Sequence, residues 1–535
     1  MKLVDLRLVA ISLLGLALIQ GGVHAANVTG ELTEDTTWSG SVVVEGTVTV
    51  PAGKVLTIEP GTQVLMKSAA AIVVYGQLIA DGNEAPPIRF TRYAAGTMWK
   101  QIMFVDAADS RFVQCIFEYG GSAGEHQDYY DPTQPRNYHE AVVVLASHVD
   151  FEACVFQKLP DESSGAEGDA LAIIADDLYH PGVTSATFKK CRFLGIGQGI
   201  HTRYSHVLVE NCYFQGKHGD NDDIDLWGES DPPCVIRNNL FDLPEHDDRI
   251  NPTRCSAIIT GNVIMGGDDH GMVLRDKCSP IVMNNLILKC SSGGIAVENS
   301  CTATLVNNTI VGCGRGIRLF DLGRWDHPYH LNPGGGTATV VNCIIWDCTQ
   351  SMTLQDSSNT QIPDRGSHVT VSYCDIKGGR NSVSVSGSQS TVTWGPGNID
   401  VDPQFVAATS ADYHLKSKAG HWDSVSQRWL YDLTTSPCID AGDPNSNWTA
   451  ELWPHGKRIN MGAYGGTPQA SMSPSASGNP ADLDRDGEVD MRDLKILVDK
   501  WLVHEMLLVE DISREGKVDL LDLAILCSHW LEQGH

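Results

Sequence analysis

Basic residues are scarce. Lys and Arg number 38 against 66 Asp and Glu, a formal net charge of -28, which removes the attraction that binding to nucleic acid or an anionic membrane surface depends on. No Gly-rich loop carries the lysine that a phosphate-cradling turn needs, so a nucleotide-using enzyme is disfavoured. His126, His139, His327 and His330 lack a tight metal-ligand spacing, and zinc is not expected. Past the N-terminus no apolar run approaches the ~18 residues of a membrane span. A neutral polymer, a cation or a protein partner suits this surface better.

At the N-terminus, Met1-Lys2, an apolar run from Leu8 to Ile19 and Val23-His24-Ala25 form the pattern of a signal peptide, 1–25, removed after Ala25. The mature protein is therefore expected to be secreted, with the periplasm or cell surface as further options. The cleavage site has no cysteine, so a lipid anchor is not indicated.

A chain of 535 residues exceeds the usual single core, which makes internal repeats the first thing to seek. Cys115, Cys154, Cys191 and Cys212 sit in similar phrases: FVQCIFE, FEACVFQ, FKKCRFL and VENCYFQ. RNNLF, TGNVI, MNNLI and VNNTI continue the series with Asn239, Asn262, Asn285 and Asn308 in the cysteine position, at steps from 212 of 27, 23, 23 and 23 residues. Cys234, Cys255, Cys278 and Cys301 repeat at 21, 23 and 23. This period, with short β-branched strands between turn residues, predicts a solenoid of stacked parallel strands; the leucine and helix pattern of leucine-rich repeats is missing. Equivalent residues would stack about 4.8 Å apart, so the asparagines can form a hydrogen-bonded ladder and the thiols can fill the core unbridged. Residues 46 to 82 alternate apolar and polar in short runs broken by Gly and Pro, as first coils should.

These opening coils resemble those of pectin-lyase-like β-helix proteins, and the stretch DPQFV to SPCIDAGDP and INMGAYGG (403 to 466) looks like the closing segment of the same exported group. The resemblance implies an all-β fold, a single-stranded right-handed parallel β-helix over 26–468. The Ser/Pro/Gly-rich stretch 469–480 then reads as a flexible linker.

The tail, 481–535, is a duplication. Asp482, Gly487, Val489, Leu494, Trp501 and Leu502 recur 29 residues later as Asp511, Gly516, Val518, Leu523, Trp530 and Leu531. DLDRDGEVDMRD places Asp482, Asp484, Asp486, Asp490 and Asp493 at loop positions 1, 3, 5, 9 and 12 with glycine at the sharp turn, the spacing that surrounds calcium with hard oxygens. DISREGKVDLLD offers Asp511, Ser513, Glu515, Asp519 and Asp522 as a weaker second loop; Glu488 and Lys517 hold position 7 of the two sets. Two calcium ions of unequal affinity are expected. Each loop runs into a short helix, and the pair resembles a type I dockerin, which implies a cohesin-like partner. Met491-Arg492 and Leu520-Leu521 replace the Ser/Thr contacts usual in that family.

Alignment of the coils on Ile200, Ile224, Ile250, Met272, Ile295 and Ile317 brings Asp222, Asp248 and His270 into one column, two positions earlier, with Asn221, Asp247 and Asp269 beside it and His201, Asp225 and Asn251 one position later. Carboxylates crowded on neighbouring coils raise at least one pKa, which separates a general acid from a base. NDDIDL, DDRI and DHGM on successive coils look like the NTDGID, DD and GHG phrases of polygalacturonase-type glycoside hydrolases. The resemblance implies that Asp222 and Asp247 or Asp248 divide the acid and base roles, that His270 orients them, and that the anomeric configuration is inverted. Where that family carries Arg-x-Lys the sequence reads SSGGIAVEN, with Arg275, Lys277, Arg315 and Arg318 as the nearest basic residues.

Four readings of the patch stand side by side. The stacked aspartates can cap turns or hold a structural cation, a third calcium; they can hydrolyse a polysaccharide; with Arg275 or Lys277 as base they can serve a calcium-assisted lyase; or the β-helix binds glycan, or acts as a spacer, without chemistry. Two insertions, 124 to 140 and 321 to 336, carry Tyr129, Tyr130, Tyr138, Trp325 and Tyr329. Such rings suit stacking on sugars, with Arg275 as a charged contact, or pack back on the solenoid.

Overall fold

The computed structural model describes residues 26–121, 140–159, 171–174, 183–216, 222–242, 248–321, 334–359, 362–475 and 478–532. The expected signal peptide, Asp247, Tyr129, Tyr130 and Trp325 lie outside them. Short alternating runs become strands because every second side chain reaches the interior, as in Val55–Ile58 and Gln63–Met66. Successive coils stack these strands in parallel on three faces. One face runs through Ile200–Arg203, Ile224–Trp227, Ile250–Thr253, His270–Arg275, Gly293–Glu298 and Arg315–Phe320. A second runs through Arg192–Ile196, Tyr213–Gly216, Leu240–Asp242 and Val263–Gly267, and a third through His206–Glu210, Val235–Arg237 and Ile258–Thr260. Each parallel pairing is closed by a full turn through the other two faces, which makes the sheet a coil: a parallel β-helix.

The repeated cysteine and asparagine phrases turn the corner between the third and second faces. The residue just before each takes a left-handed conformation: Ala153, Lys190, Asn211, Asn238, Gly261, Asn284 and Asn307 all have φ between 52° and 67°. Asparagine and glycine tolerate this region best, and at 261 a Cβ would also lie 2.4 Å from Asn238 Oδ1. The following residue points inward. Asn239, Asn262 and Asn285 each donate Nδ2 to the Oδ1 of the next asparagine at 3.0 Å and to a main-chain carbonyl of the preceding coil. The ladder is flanked by the thiol column, since Cys212 N donates to Asn239 Oδ1 and Asn308 N to Cys343 Sγ. All fifteen cysteines are free thiols. Phe90, Phe117, Phe156, Phe193, Phe214 and Phe241 stack beside them with centroids 4.5 to 5.0 Å apart.

Asn262→Ala should therefore be costly. It strips acceptors from two donors of Asn239 and a donor from the Ile236 carbonyl, all buried; at about 1–3 kcal/mol for each stranded group, a loss of roughly 3 kcal/mol or more is expected in denaturant unfolding.

The parallel coils end at Thr391–Trp394. The segment that follows does not add turns; it folds back along the second face. Asn284 Nδ2 donates to the Ala463 and Gly465 carbonyls and Asn307 Nδ2 to those of Asn460 and Gly462, while Tyr413 and Ala463 cover Val263, Leu286, Leu288 and Val311. Residues 469–473, expected as the start of a flexible linker, are buried in this segment: Ser417 Oγ donates to the Met472 carbonyl, Ser471 Oγ to that of Leu415, and Ser473 N to that of Pro454. The apolar side chains Ala470 and Met472 among the serines explain the difference.

In the tail, α1 (Met491–Asp499) and α2 (Leu520–Ser528) each start with a capping box, Asp490 with Asp493 and Asp519 with Asp522. The two units bond reciprocally: Leu531 N donates to the Val489 carbonyl, and Leu502 N to the Val518 carbonyl. Val489, Leu497, Val518 and Leu526 form a small shared core.

Candidate functional site

The register pairs Ile200, Ile224, Ile250, Met272, Ile295 and Ile317 in one column. All six side chains are buried, so the polar residues that lead into these strands are fixed by the core beneath them. Asp222, Asp248 and His270 consequently lie on three successive coils. Asn251 Nδ2 donates to Asp222 Oδ2 at 2.7 Å. Burial, followed by the charges of Asp248 and Asp225, pushes the Asp222 carboxyl well above the usual carboxylate range, against the opposing effects of Asn251 and Arg275. Asp222 thus lies beside a second carboxyl, in surroundings that disfavour its charged form.

Asp248 is buried and faces donors and cations. Its Oδ1 accepts from His270 N at 3.0 Å and lies 3.4 Å from His270 Nδ1, and its Oδ2 lies 3.6 Å from Arg275 Nη2. His270 Nδ1 also lies 3.0 Å from Asp269 Oδ1. Burial alone would lower the imidazole, but its bonds to Asp248 and Asp269 prevail and raise it to about 9, while the bond from His270 holds Asp269 down at about 2. Arg275, expected as a sugar contact, is drawn inward: Nε meets Glu298 at 2.8 Å, and the charges of Glu298 and Asp248 outweigh burial and hold it protonated.

Glu298, Arg203 and the Asp223–Arg249 pair were not legible as part of this site. Arg203 Nε donates to His201 Nε2 at 3.2 Å, and His201 Nδ1 meets Asp225 at 2.9 Å. Arg249 is fully buried, with Nη1 on Asp223 at 2.9 Å and Nε on the Gly266 carbonyl. An inward arginine breaks the rule that locates core positions; only the neighbouring DDR triplet hints at it.

Asp248, Asp269 and His270 bring one ligand atom each within 4.8 Å of one another. Calcium requires six to eight oxygens, whereas here a ring held protonated by its two carboxylates fills the space between them, which does not suit calcium. The ion pair makes a prediction. A histidine raised from 6.5 to about 9 stabilises the fold fully below pH 6.5, and this contribution, on the order of 3 kcal/mol, is lost as pH rises through about 9. Differential melting of wild type and His270→Gln should converge at alkaline pH.

In the tail, Asp482, Asp484 and Asp486 converge within the same limit. Asp482 Oδ1 is buried without a hydrogen-bond partner among the described residues, and burial with neighbouring charge raises Asp482 and Asp484. The Arg492 guanidinium meets Asp486 at 2.6 Å and Asp490 at 3.1 Å. Asp493 accepts from Leu483 N, Asp484 N and Asp490 N. In the second loop Asp511 accepts from Glu515 N and Gly516 N, Asp522 from Ser513 N and Asp519 N, and Lys517 Nζ lies 2.6 Å from Asp519. The oxygens of Asp482, Asp484 and Asp486 are of the hard type a divalent cation takes, whereas in the second loop Lys517 lies against Asp519.

Two families match the sequence: right handed beta helix region over residues 178–325, and disaggregatase related over 282–442. The first range holds Asp222, Asp248, His270 and Arg275. The fold is a right-handed parallel β-helix. No curated protein matches. Among solved structures, the β-helix is similar to a periplasmic alginate epimerase, AlgG, at 12% identity and TM-score 0.37, covering 66% of this chain and 78% of that one. A PL6 alginate lyase in complex with a trisaccharide shares 13% identity at TM-score 0.37, covering 69% and 81%. A mutant tailspike protein of E. coli bacteriophage HK620 in complex with a pentasaccharide shares 11% at 0.33, covering 69% and 74%. No helix among the described residues is long and apolar enough to cross a membrane.

Proposed function

We propose that this β-helix hydrolyses glycosidic bonds of an extracellular polysaccharide, with Asp222 as general acid, Asp248 as the carboxylate that activates water and His270 as the cation that orients Asp248. One observation carries the reading: Asp222, whose carboxyl is pushed up by burial and neighbouring charge, sits on the coil next to Asp248, which His270 and Arg275 flank at 3.4 and 3.6 Å. Environments that split two carboxyls in this way supply the donor for the leaving oxygen and the acceptor for water's proton. A lyase would need Arg275 or Lys277 as base, and Arg275 is engaged by Glu298 at 2.8 Å and Asp248 at 3.6 Å, which favours hydrolysis.

The test is a panel of plant and algal polysaccharides with wild type and Asp248→Asn. New reducing ends without the ultraviolet absorbance of an unsaturated uronate, lost in the variant, are expected. Absorbance would establish elimination instead, and inactivity on every substrate would favour a binding or spacer role.

For the tail, two calcium ions are proposed, held by Asp482, Asp484, Asp486, Asp490 and Asp493 and, more weakly, by Asp511, Ser513, Glu515, Asp519 and Asp522, with Glu488 and Lys517 at position 7. Met491 and Leu502 of the first unit match Leu520 and Leu531 of the second, all exposed apolar side chains, and exposed Leu521 stands where the first unit has Arg492; this partly duplicated apolar face supports docking of a cohesin-like module. On this reading the protein is a secreted enzyme tethered through its tail.

A further inference from the structure

A cleft of about 670 Å³ opens where the closing segment meets the second loop of the tail, within the 300–1,000 Å³ typical of ligand sites. One wall is the hairpin of His421–Asp423 and Arg428–Leu430. Trp429, Tyr431 and Met472 all converge on Gly420: an added Cβ there would meet each at 3.6 or 3.7 Å. Trp429 is further braced edge-on by Trp422, with centroids 5.5 Å apart. Tyr431 remains 74% exposed, which leaves its ring open to a stacking partner. The opposite wall is Met506, lying against Gly516 of the loop, and Arg514, whose Nη1 is fixed by the Leu508 and Asp511 carbonyls. Trp453 lines the cleft between them, its carbonyl accepting from Arg514 Nη2.

Two polar atoms of these lining residues are unused. Trp453 Nε1 and Arg514 Nε are buried and have no hydrogen-bond partner among the described residues. Both are donors only and lie just beneath the lining, so a ligand whose seating shifts either side chain must bring acceptor oxygens, while the rings of Trp429 and Tyr431 offer platforms for a flat face of C–H groups. A pyranose ring meets both demands at once; a phosphate lacks the apolar face, and a plain aromatic ligand lacks the acceptors.

We propose that this cleft is a saccharide-binding site, separate from the Asp222–Asp248 column, which holds a sugar chain against the junction of β-helix and tail. Either site can fail without the other. Calorimetric titration of the full-length protein in calcium with xylohexaose, cellohexaose and hexagalacturonate tests it, using wild type, Tyr431→Ala, Trp453→Phe and Asp222→Asn. At least one hexasaccharide should bind saturably, about tenfold more weakly to Tyr431→Ala and more weakly to Trp453→Phe, which keeps a ring but lacks the N–H. In the Asp222→Asn background, which does not turn the sugar over, Tyr431→Ala should weaken binding by the same factor. The proposal is overturned if none of the three binds at millimolar concentration, if Tyr431→Ala binds unchanged, or if Asp222→Asn alone abolishes binding.

Discussion

Asp222→Asn is expected to reduce turnover about 10²–10⁴-fold, the contribution of a positioned general acid, and at the same time to raise the melting temperature at neutral pH. The two effects share one cause. A carboxyl whose folded pKa lies above its unfolded value supports the fold best below the ordinary aspartate value of 3.8 and progressively less as pH rises towards the folded pKa, because the unfolded chain releases the proton first. Asparagine cannot ionise, keeps an oxygen for the Asn251 amide and removes the conflict with Asp248 and Asp225. Turnover measured beside calorimetry separates this from a purely structural aspartate, whose replacement would lower the melting temperature and leave turnover proportional to folded protein.

Chelation of calcium should melt the tail while the β-helix stays folded. The loops gather carboxylates that repel one another, and only partial relief comes from Arg492 and Lys517. An ion held by the folded loop alone adds RT ln(1 + [L]/Kd), about 2.7 kcal/mol at a hundredfold excess over Kd, large for a unit with so small a core. Calorimetry should show two transitions, the lower moving with calcium concentration and the upper not. Asp493→Ala should suppress the lower transition even in calcium, since it strands the N–H groups of Leu483, Asp484 and Asp490. A thermogram unchanged by chelator would remove calcium from the account.

The coils were legible because the core imposes a period: each cysteine or asparagine must follow a left-handed corner and precede an inward strand, so the phrase repeats wherever the chain turns. The same period gave the register of Ile200 to Ile317, and with it the stacking of Asp222, Asp248 and His270. Legibility ended where the period did. The closing segment packs through side-chain amides on carbonyls 150 or more residues away in sequence, as Asn307 does with Asn460, and a Ser-rich composition hid the burial of residues 469–473. Glu298 escaped notice because Arg275 reaches it across coils rather than along a strand, and Arg249 because a buried guanidinium contradicts the alternation that marks core positions.

The proposed hydrolysis requires Asp222 to be protonated, and infrared difference spectroscopy between wild type and Asp222→Asn at neutral pH tests this directly. A carbonyl band of a protonated carboxylic acid, present in wild type and missing from the variant, is the predicted result. A difference confined to carboxylate bands would show Asp222 ionised, and the acid–base assignment on this face of the β-helix would fall.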